Sequence, residues 1–182
     1  GAKNNEKSVY INLEEPRKNI DRNIANFTFG KEISQYEKKG LIKILCFSYK
    51  DYEKVYKDLF RKIKEDSKIR RLVIDSYNGF FTYNAGVTDT NKIQKKILIR
   101  KVISKSLELF REEDLTTLLI LEKEKDYTSD FDRLISFMID GEISLEYLSF
   151  GTIERRVFIP KMRWTKQFDS SIPFEITNKG IS

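Results

Sequence analysis

The sequence predicts an α/β fold: a mostly parallel sheet flanked by helices, with a C-terminal antiparallel hairpin. Three observations carry this expectation. Short runs of strand-favouring residues alternate with amphipathic helical stretches as far as residue 121. The run Arg70–Ser76 is nearly continuous in apolar character, as in a parallel strand covered on both faces. After residue 141 the helical period gives way to two alternating stretches separated by a turn.

In order along the chain, Val9–Leu13 reads as the first strand, and Glu14-Glu15-Pro16 follows it at once, with Pro16 suited to the first turn of a helix. Ile20, Ile24 and Phe27 recur at spacings of four and three, and Gly30 supplies a stop. Leu41–Cys46 is a second strand. Tyr52, Val55, Leu59 and Ile63 mark the apolar side of a helix whose other side is charged. Arg70–Ser76, carrying Asp75 near its end, is the third strand, and residues 82–90 form a loop. A long helix from Asn91 to Glu112 sets Ile99, Val102, Ile103, Leu107 and Phe110 on one face, and Thr117–Leu121 is the fourth strand. Glu142–Leu148 and Ile153–Ile159 then form a hairpin near a sheet edge, because a central strand would not tolerate Pro160. Pro173–Thr177 is a last short strand, turning at Asn178–Gly180.

Composition narrows the chemistry. The 182 residues make a single domain, and 40% hydrophobic content supplies a core that a disordered segment would lack. No apolar run approaches the roughly 18 residues that span a bilayer, which predicts a soluble, cytoplasmic protein without membrane contact. The single cysteine, Cys46, excludes an intrachain disulfide and a thiolate metal cage. The absence of histidine removes every mechanism that needs an imidazole, so catalysis must run on carboxylates, lysine, arginine or a bound metal.

Ligands of parallel α/β sheets sit in the crevice at the carboxyl ends of the strands. Two carboxylate sites fall there: Glu14 and Glu15 after the first strand, and Asp75 at the end of the third. An apolar strand ending in Asp presents a carboxylate to a hydrated Mg²⁺, which keeps several waters and takes one or two carboxylates plus phosphate oxygens. A carboxylate on an adjacent strand end would orient or deprotonate a water. The alternative for Asp75 is a strand-end turn residue. For Glu14 and Glu15 it is a pair of acids stabilised beside a helix N-terminus by about 0.3–1 kcal/mol.

Ser8-Val-Tyr-Ile-Asn-Leu-Glu-Glu-Pro16, Arg71-Leu-Val-Ile-Asp-Ser76, and Lys161-Met-Arg-Trp-Thr165 followed by Pro173-Phe-Glu-Ile-Thr-Asn-Lys-Gly-Ile181 occur together and in this order. In this the chain resembles the KaiC-like branch of the RecA superfamily of ATPases, nearly end to end. The resemblance implies a RecA-like sheet, ATP and Mg²⁺ as ligands, and a homo-oligomer with its nucleotide sites between subunits. It implies that Glu14 and Glu15 contribute the catalytic base, that Asp75 binds the metal, and that Lys161 and Arg163 reach a neighbour's nucleotide. The alternative for Lys161 and Arg163 is a pair of solvated cations that guard a sheet edge.

The departures are as informative. Trp164 stands where the family usually has Gly, and Lys166 and Gln167 follow Thr165 where a histidine is expected. The phosphate-binding motif G-x-x-x-x-G-K-[S/T], whose backbone N–H groups cradle phosphates, is missing. The only Gly-Lys pair, Gly30-Lys31, has Ala25 in place of the first glycine and Glu32 in place of Ser/Thr, and it reads as a helix end. The family places its phosphate loop just before the first strand of this chain. The expectation is therefore a domain truncated at that unit, in preference to one whose missing piece lies in another chain or register or to a naturally reduced protein carrying Gly1-Ala2 as a tag scar, with an unpaired sheet edge beside Thr117–Leu121. Such a chain alone hydrolyses no ATP. Two other functions stay open: a non-catalytic assembly or signalling module, and a recombinase-like DNA binder. The latter would use Lys92, Lys95, Lys96, Arg100, Lys101 and Lys105, although without interleaved aromatics these read first as the solvated side of a helix. Phe80, Phe81 and Tyr83 read as packing or as a ligand-facing cluster.

Overall fold

The computed structural model describes residues 1–48, 57–59, 61, 63, 65–78, 92–122, 130–150, 152–166 and 170–182. Its residues cluster in two units, Gly1–Phe131 and Asp132–Ser182.

Strand β1, Lys7–Asn12, alternates so that Val9, Ile11 and the following Leu13 are buried, while Tyr10 and Asn12 line the opposite face. It lies at the middle of a four-stranded parallel sheet ordered β2-β1-β3-β4, in which β2 is Ile42–Cys46, β3 is Ile69–Asp75 and β4 is Thr116–Leu119. Asn12 stands opposite Cys46 on β2 and opposite Asp75 on β3, so the carboxyl ends of the two central strands are level. At their amino ends Lys7 pairs with Asp66, and Arg71 Nη2 pairs with Glu6 Oε2 at 2.8 Å.

The reading of β3 as buried on both faces holds for one face. Leu72 and Ile74 are fully buried, whereas Arg71, Val73 and Asp75 share a partly exposed face with the site described below. Among the described residues strand β4 is the last of the sheet, and the side chains of Leu118 (56%) and Ile120 (42%) are exposed. The long helix α3, Lys92–Glu112, buries Ile103, Leu107 and Phe110 as predicted, together with Ser106 and Leu109. Lys96, Arg100, Lys101 and Lys105 are exposed on it. Of the predicted helix around residues 52–63, Leu59 and Ile63 are helical and buried, while Tyr52 and Val55 lie outside the described residues, as do Phe80, Phe81, Tyr83 and the predicted loop at 82–90.

Gly30 is where the sequence reading fails. Helix α1, Arg17–Ala25, ends before Phe27, whose ring stacks on Phe29 at 4.9 Å. Gly30 then opens a further helix, α2, Gly30–Lys38. A Cβ at Gly30 would stand 2.4 Å from the carbonyl oxygen of Ile24, so only glycine permits this tight reversal between helices. Arg17 fastens the result, donating to Asp21 and Glu37 carboxylates at 2.7 Å each and to the Ile44 carbonyl of β2 at 3.3 Å.

In the second unit, β5 (Gly141–Phe150) and β6 (Thr152–Met162) form the predicted hairpin. Pro160 does not end the strand. It sits inside β6, where the register shifts between Glu142 and Ser144, and β7 (Ile172–Pro173) covers β6 only at Arg156 and Val157. No ladder bond is therefore asked of the missing N–H. The predicted last strand is split: Pro173 belongs to β7, and Ile176–Thr177 (β8) pairs with Gly180–Ile181 (β9) through a turn that places Gly180 at φ 104°. Helix α4, Asp130–Met138, precedes the hairpin. No helix among the described residues is long and apolar enough to cross a membrane.

Two outcomes follow. Leu72→Ala should lower unfolding stability by about 2–5 kcal/mol in urea titrations. The hydrogen bond from Lys7 holds the Asp66 carboxyl below its ordinary pKa of 3.8, so the stabilisation from this pair is complete above that value and is lost as the pH falls through the lower folded one. Asp66→Asn should accordingly lower Tm at pH 7, with the difference from wild type shrinking as the pH is taken below 3.8, as read by circular dichroism melts.

Candidate functional site

The crevice at the carboxyl end of the sheet is assembled from the ends of β1 and β3. Parallel pairing brings Asn12 beside Asp75, and the ladder continues one step further, with the Leu13 N–H donating to the Asp75 carbonyl at 2.6 Å. The segment Glu14-Glu15 thus leaves the sheet directly next to Asp75. The Asp75–Ser76 peptide bond is cis.

Asn12, 3% exposed, shapes this corner. Its Oδ1 accepts from the backbone N–H of Glu14 at 2.9 Å and of Glu15 at 2.6 Å, an Asx turn that bends the chain and fixes where both glutamates emerge. Its Nδ2 donates to Tyr10 Oη at 3.5 Å, and Tyr10 Oη donates to Asp75 Oδ2 at 2.5 Å. Burial, aided by the bond to the Asp75 carboxylate, pushes the Tyr10 hydroxyl up to about 12, so it remains a proton donor throughout the neutral range. Glu14 is exposed and Glu15 half-buried.

The far side of β3 is fixed too. Tyr77 N–H donates to the Ile120 carbonyl at 2.7 Å, and Asn78 both donates to the Glu122 carbonyl and accepts from its N–H at 3.2 Å. These contacts tie the segment after Asp75 to the end of β4.

The donor set suits a divalent cation of the Mg²⁺ class. Tyr10 donates to Asp75 Oδ2 and leaves the carboxylate's other lone pairs to a cation, and Mg²⁺ is satisfied by one or two carboxylates with water completing its shell. Among the described residues no group of three His, Cys, Asp or Glu side chains converges, which disfavours an all-protein cage of the zinc or calcium kind. Cys46, half-buried opposite Asn12, has its thiol pushed up by burial and is a poor nucleophile.

Gly30-Lys31 does not form a phosphate cradle. The approach to the start of α2 is filled by the Ile24 carbonyl oxygen, which would repel an anion.

Lys161 and Arg163, predicted to project together, do share a target. Lys161 Nζ donates to the carbonyls of Ser136 at 2.6 Å and Phe137 at 3.2 Å; Arg163 donates to the Phe137 carbonyl at 3.0 Å and to Asp140 Oδ1 at 3.3 Å. Both cations thus cap the C-terminus of α4, where the helix dipole favours positive charge. Burial, and next the charge of Arg163, lower the Lys161 pKa from its ordinary value. Trp164 follows at φ 63° and is 99% exposed, in the left-handed conformation that suits a glycine.

Sequence reasoning passed over Tyr10 and Asn12. The signal was present: in a strand whose other face is apolar, a Tyr-x-Asn alternation two and four residues before Glu14 must face the same way as the register partner of Asn12.

The family profile described as "ATPase: KaiC" matches residues 1–182. A UPF0273 protein of Pyrococcus horikoshii is 27% identical over all of this chain and 75% of its own length, and a UPF0273 protein of Pyrococcus furiosus is 26% identical over the same shares. The crystal structure of a KaiC-like protein from Pyrococcus horikoshii superposes with a TM-score of 0.74 at 27% identity, covering 99% of this chain and 76% of that one.

Asn12→Ala leaves two N–H groups of the turn without their acceptor and should cost about 1–3 kcal/mol in urea unfolding. Exposed Glu14→Ala, which keeps both N–H groups bonded, should stay within about 0.5 kcal/mol of wild type.

Proposed function

The chain belongs to the KaiC ATPase family, and from that premise we propose that it is the carboxylate-bearing core of an enzyme that binds ATP·Mg²⁺ between subunits and hydrolyses it. The observation that carries the reading is the meeting of Glu14-Glu15 and Asp75 on level ends of adjacent central strands. Bound Mg²⁺·ATP would supply the phosphoryl group and the charge neutralisation of the reaction. Asp75 is the residue that would hold the metal, with its carboxylate oriented by the hydrogen bond from Tyr10. One of Glu14 and Glu15 accepts the proton of the attacking water, the task that the missing histidines leave to a carboxylate.

Lys161 and Arg163 complete a neighbour's site. In this chain they hold carbonyls of α4, so that role requires them to exchange those partners for phosphate oxygens, and it makes self-association part of the activity. A cytoplasmic setting accords with this reading. A DNA-binding role for the exposed Lys96, Arg100, Lys101 and Lys105 has weaker support, since no stacking aromatic is interleaved with them on α3; salt-sensitive DNA binding would speak for it.

The 182 residues alone, lacking G-x-x-x-x-G-K-[S/T], should show no ATP turnover. Joining the strand–loop–helix unit of a KaiC-family relative ahead of Gly1 should confer Mg²⁺-dependent hydrolysis. Asp75→Asn, or Glu14→Gln with Glu15→Gln, should then reduce kcat by roughly 10²–10⁴-fold. A folded fusion that binds ATP without hydrolysing it, or one indifferent to these substitutions, would reject the assignment in favour of a non-catalytic module.

A further inference from the structure

Tyr10 and Asn12 do more than fill the corner of the crevice. The hydrogen bonds run in one direction through three side chains. The Glu14 and Glu15 N–H groups donate to Asn12 Oδ1, Asn12 Nδ2 donates to Tyr10 Oη, and Tyr10 Oη donates to Asp75 Oδ2. Each orientation is forced by the next. The Tyr10 hydroxyl has one proton, the Asp75 carboxylate can only accept it, and so the oxygen of Tyr10 must receive from the amide end of Asn12. That leaves the carbonyl end of Asn12 to the two N–H groups of the turn. Asn12 is buried and Tyr10 is half-buried, so solvent competes little with these bonds, and a chain of like-directed hydrogen bonds polarises along its length.

From this geometry we infer that Tyr10 and Asn12 are positioning residues that couple the Asp75 carboxylate to the Glu14–Glu15 turn. A change in charge at Asp75, such as its engagement by a cation, strengthens or weakens the Tyr10 bond, and Asn12 transmits the change to the backbone that aims the glutamates. The functional consequence rests on the ATPase reading; the coupling itself does not.

The coupling is testable in the full 182-residue chain without metal or nucleotide. Backbone amide resonances of Glu14 and Glu15 are followed by ¹⁵N NMR in wild type, Asp75→Asn, Tyr10→Phe and the double variant. Replacing the carboxylate by an amide should displace both resonances in the wild-type background, because a charge-assisted bond becomes a neutral one. In the Tyr10→Phe background the same replacement should displace them clearly less, the remainder coming from the direct neighbourhood of Asp75 and the turn through Leu13. Asn12→Ser, a second way to cut the chain, should likewise reduce their response to Asp75→Asn. Displacements of equal size with and without the Tyr10 hydroxyl would overturn the inference, as would no displacement in the wild-type background. The hydrolysing fusion can fail while this cycle succeeds, and the reverse, so the two ideas fall separately.

Discussion

The level pairing of Asn12 with Asp75 across the two central strands is the constraint on which the rest of this crevice depends. Parallel strands have a fixed residue register, and a slip of one residue would turn Asp75 to the opposite face and bury Tyr10 where Ile11 now packs. The buried set Val9, Ile11, Leu72 and Ile74 prevents that slip. The packing of the core on one face therefore determines the chemistry offered on the other. Ion pairs at the amino ends, Lys7–Asp66 and Glu6–Arg71, pin the same two strands at the end away from the site.

Much of this arrangement was legible in the sequence, because it rests on short-range patterns. The apolar run ending at Asp75, the glutamates directly after β1 and the helical stripe of α3 are each set by residues within one element. What escaped reading depends on contacts between elements. Gly30 reads as a stop by its identity, and only the approach of the Ile24 carbonyl shows that it opens a new helix. Pro160 reads as the mark of a sheet edge, yet it lies in β6, the middle strand of its sheet, where a register shift and a two-residue β7 spare it from the ladder. The partners of Lys161 and Arg163 lie at the end of α4 and just after it, more than twenty residues earlier in the chain, and no local pattern announces them.

The two sets of candidate residues differ in how they are held. Asp75 and the glutamate turn are fixed by bonds within the strand-end corner, a preorganised arrangement suited to a group that must be in place before substrate arrives. Lys161 and Arg163 are held by carbonyl oxygens and one exposed carboxylate, partners that a phosphate would outcompete by charge. A rigid carboxylate corner and exchangeable cations match the proposed division of labour between one subunit and its neighbour. Trp164, next to the cations and fully exposed in a glycine-like conformation, sets this chain apart from the family pattern at that same point.

The claim that Asp75 presents its carboxylate to a divalent cation while Tyr10 orients it is open to one direct measurement, anomalous diffraction from crystals soaked in Mn²⁺ and collected at the manganese edge. The account predicts a peak about 2.1 Å from an Asp75 carboxylate oxygen, the distance typical of small hard cations, with Tyr10 still bonded to Oδ2. Manganese bound at other carboxylates with none at Asp75, or Asp75 turned to chelate through both oxygens with Tyr10 displaced, would contradict it.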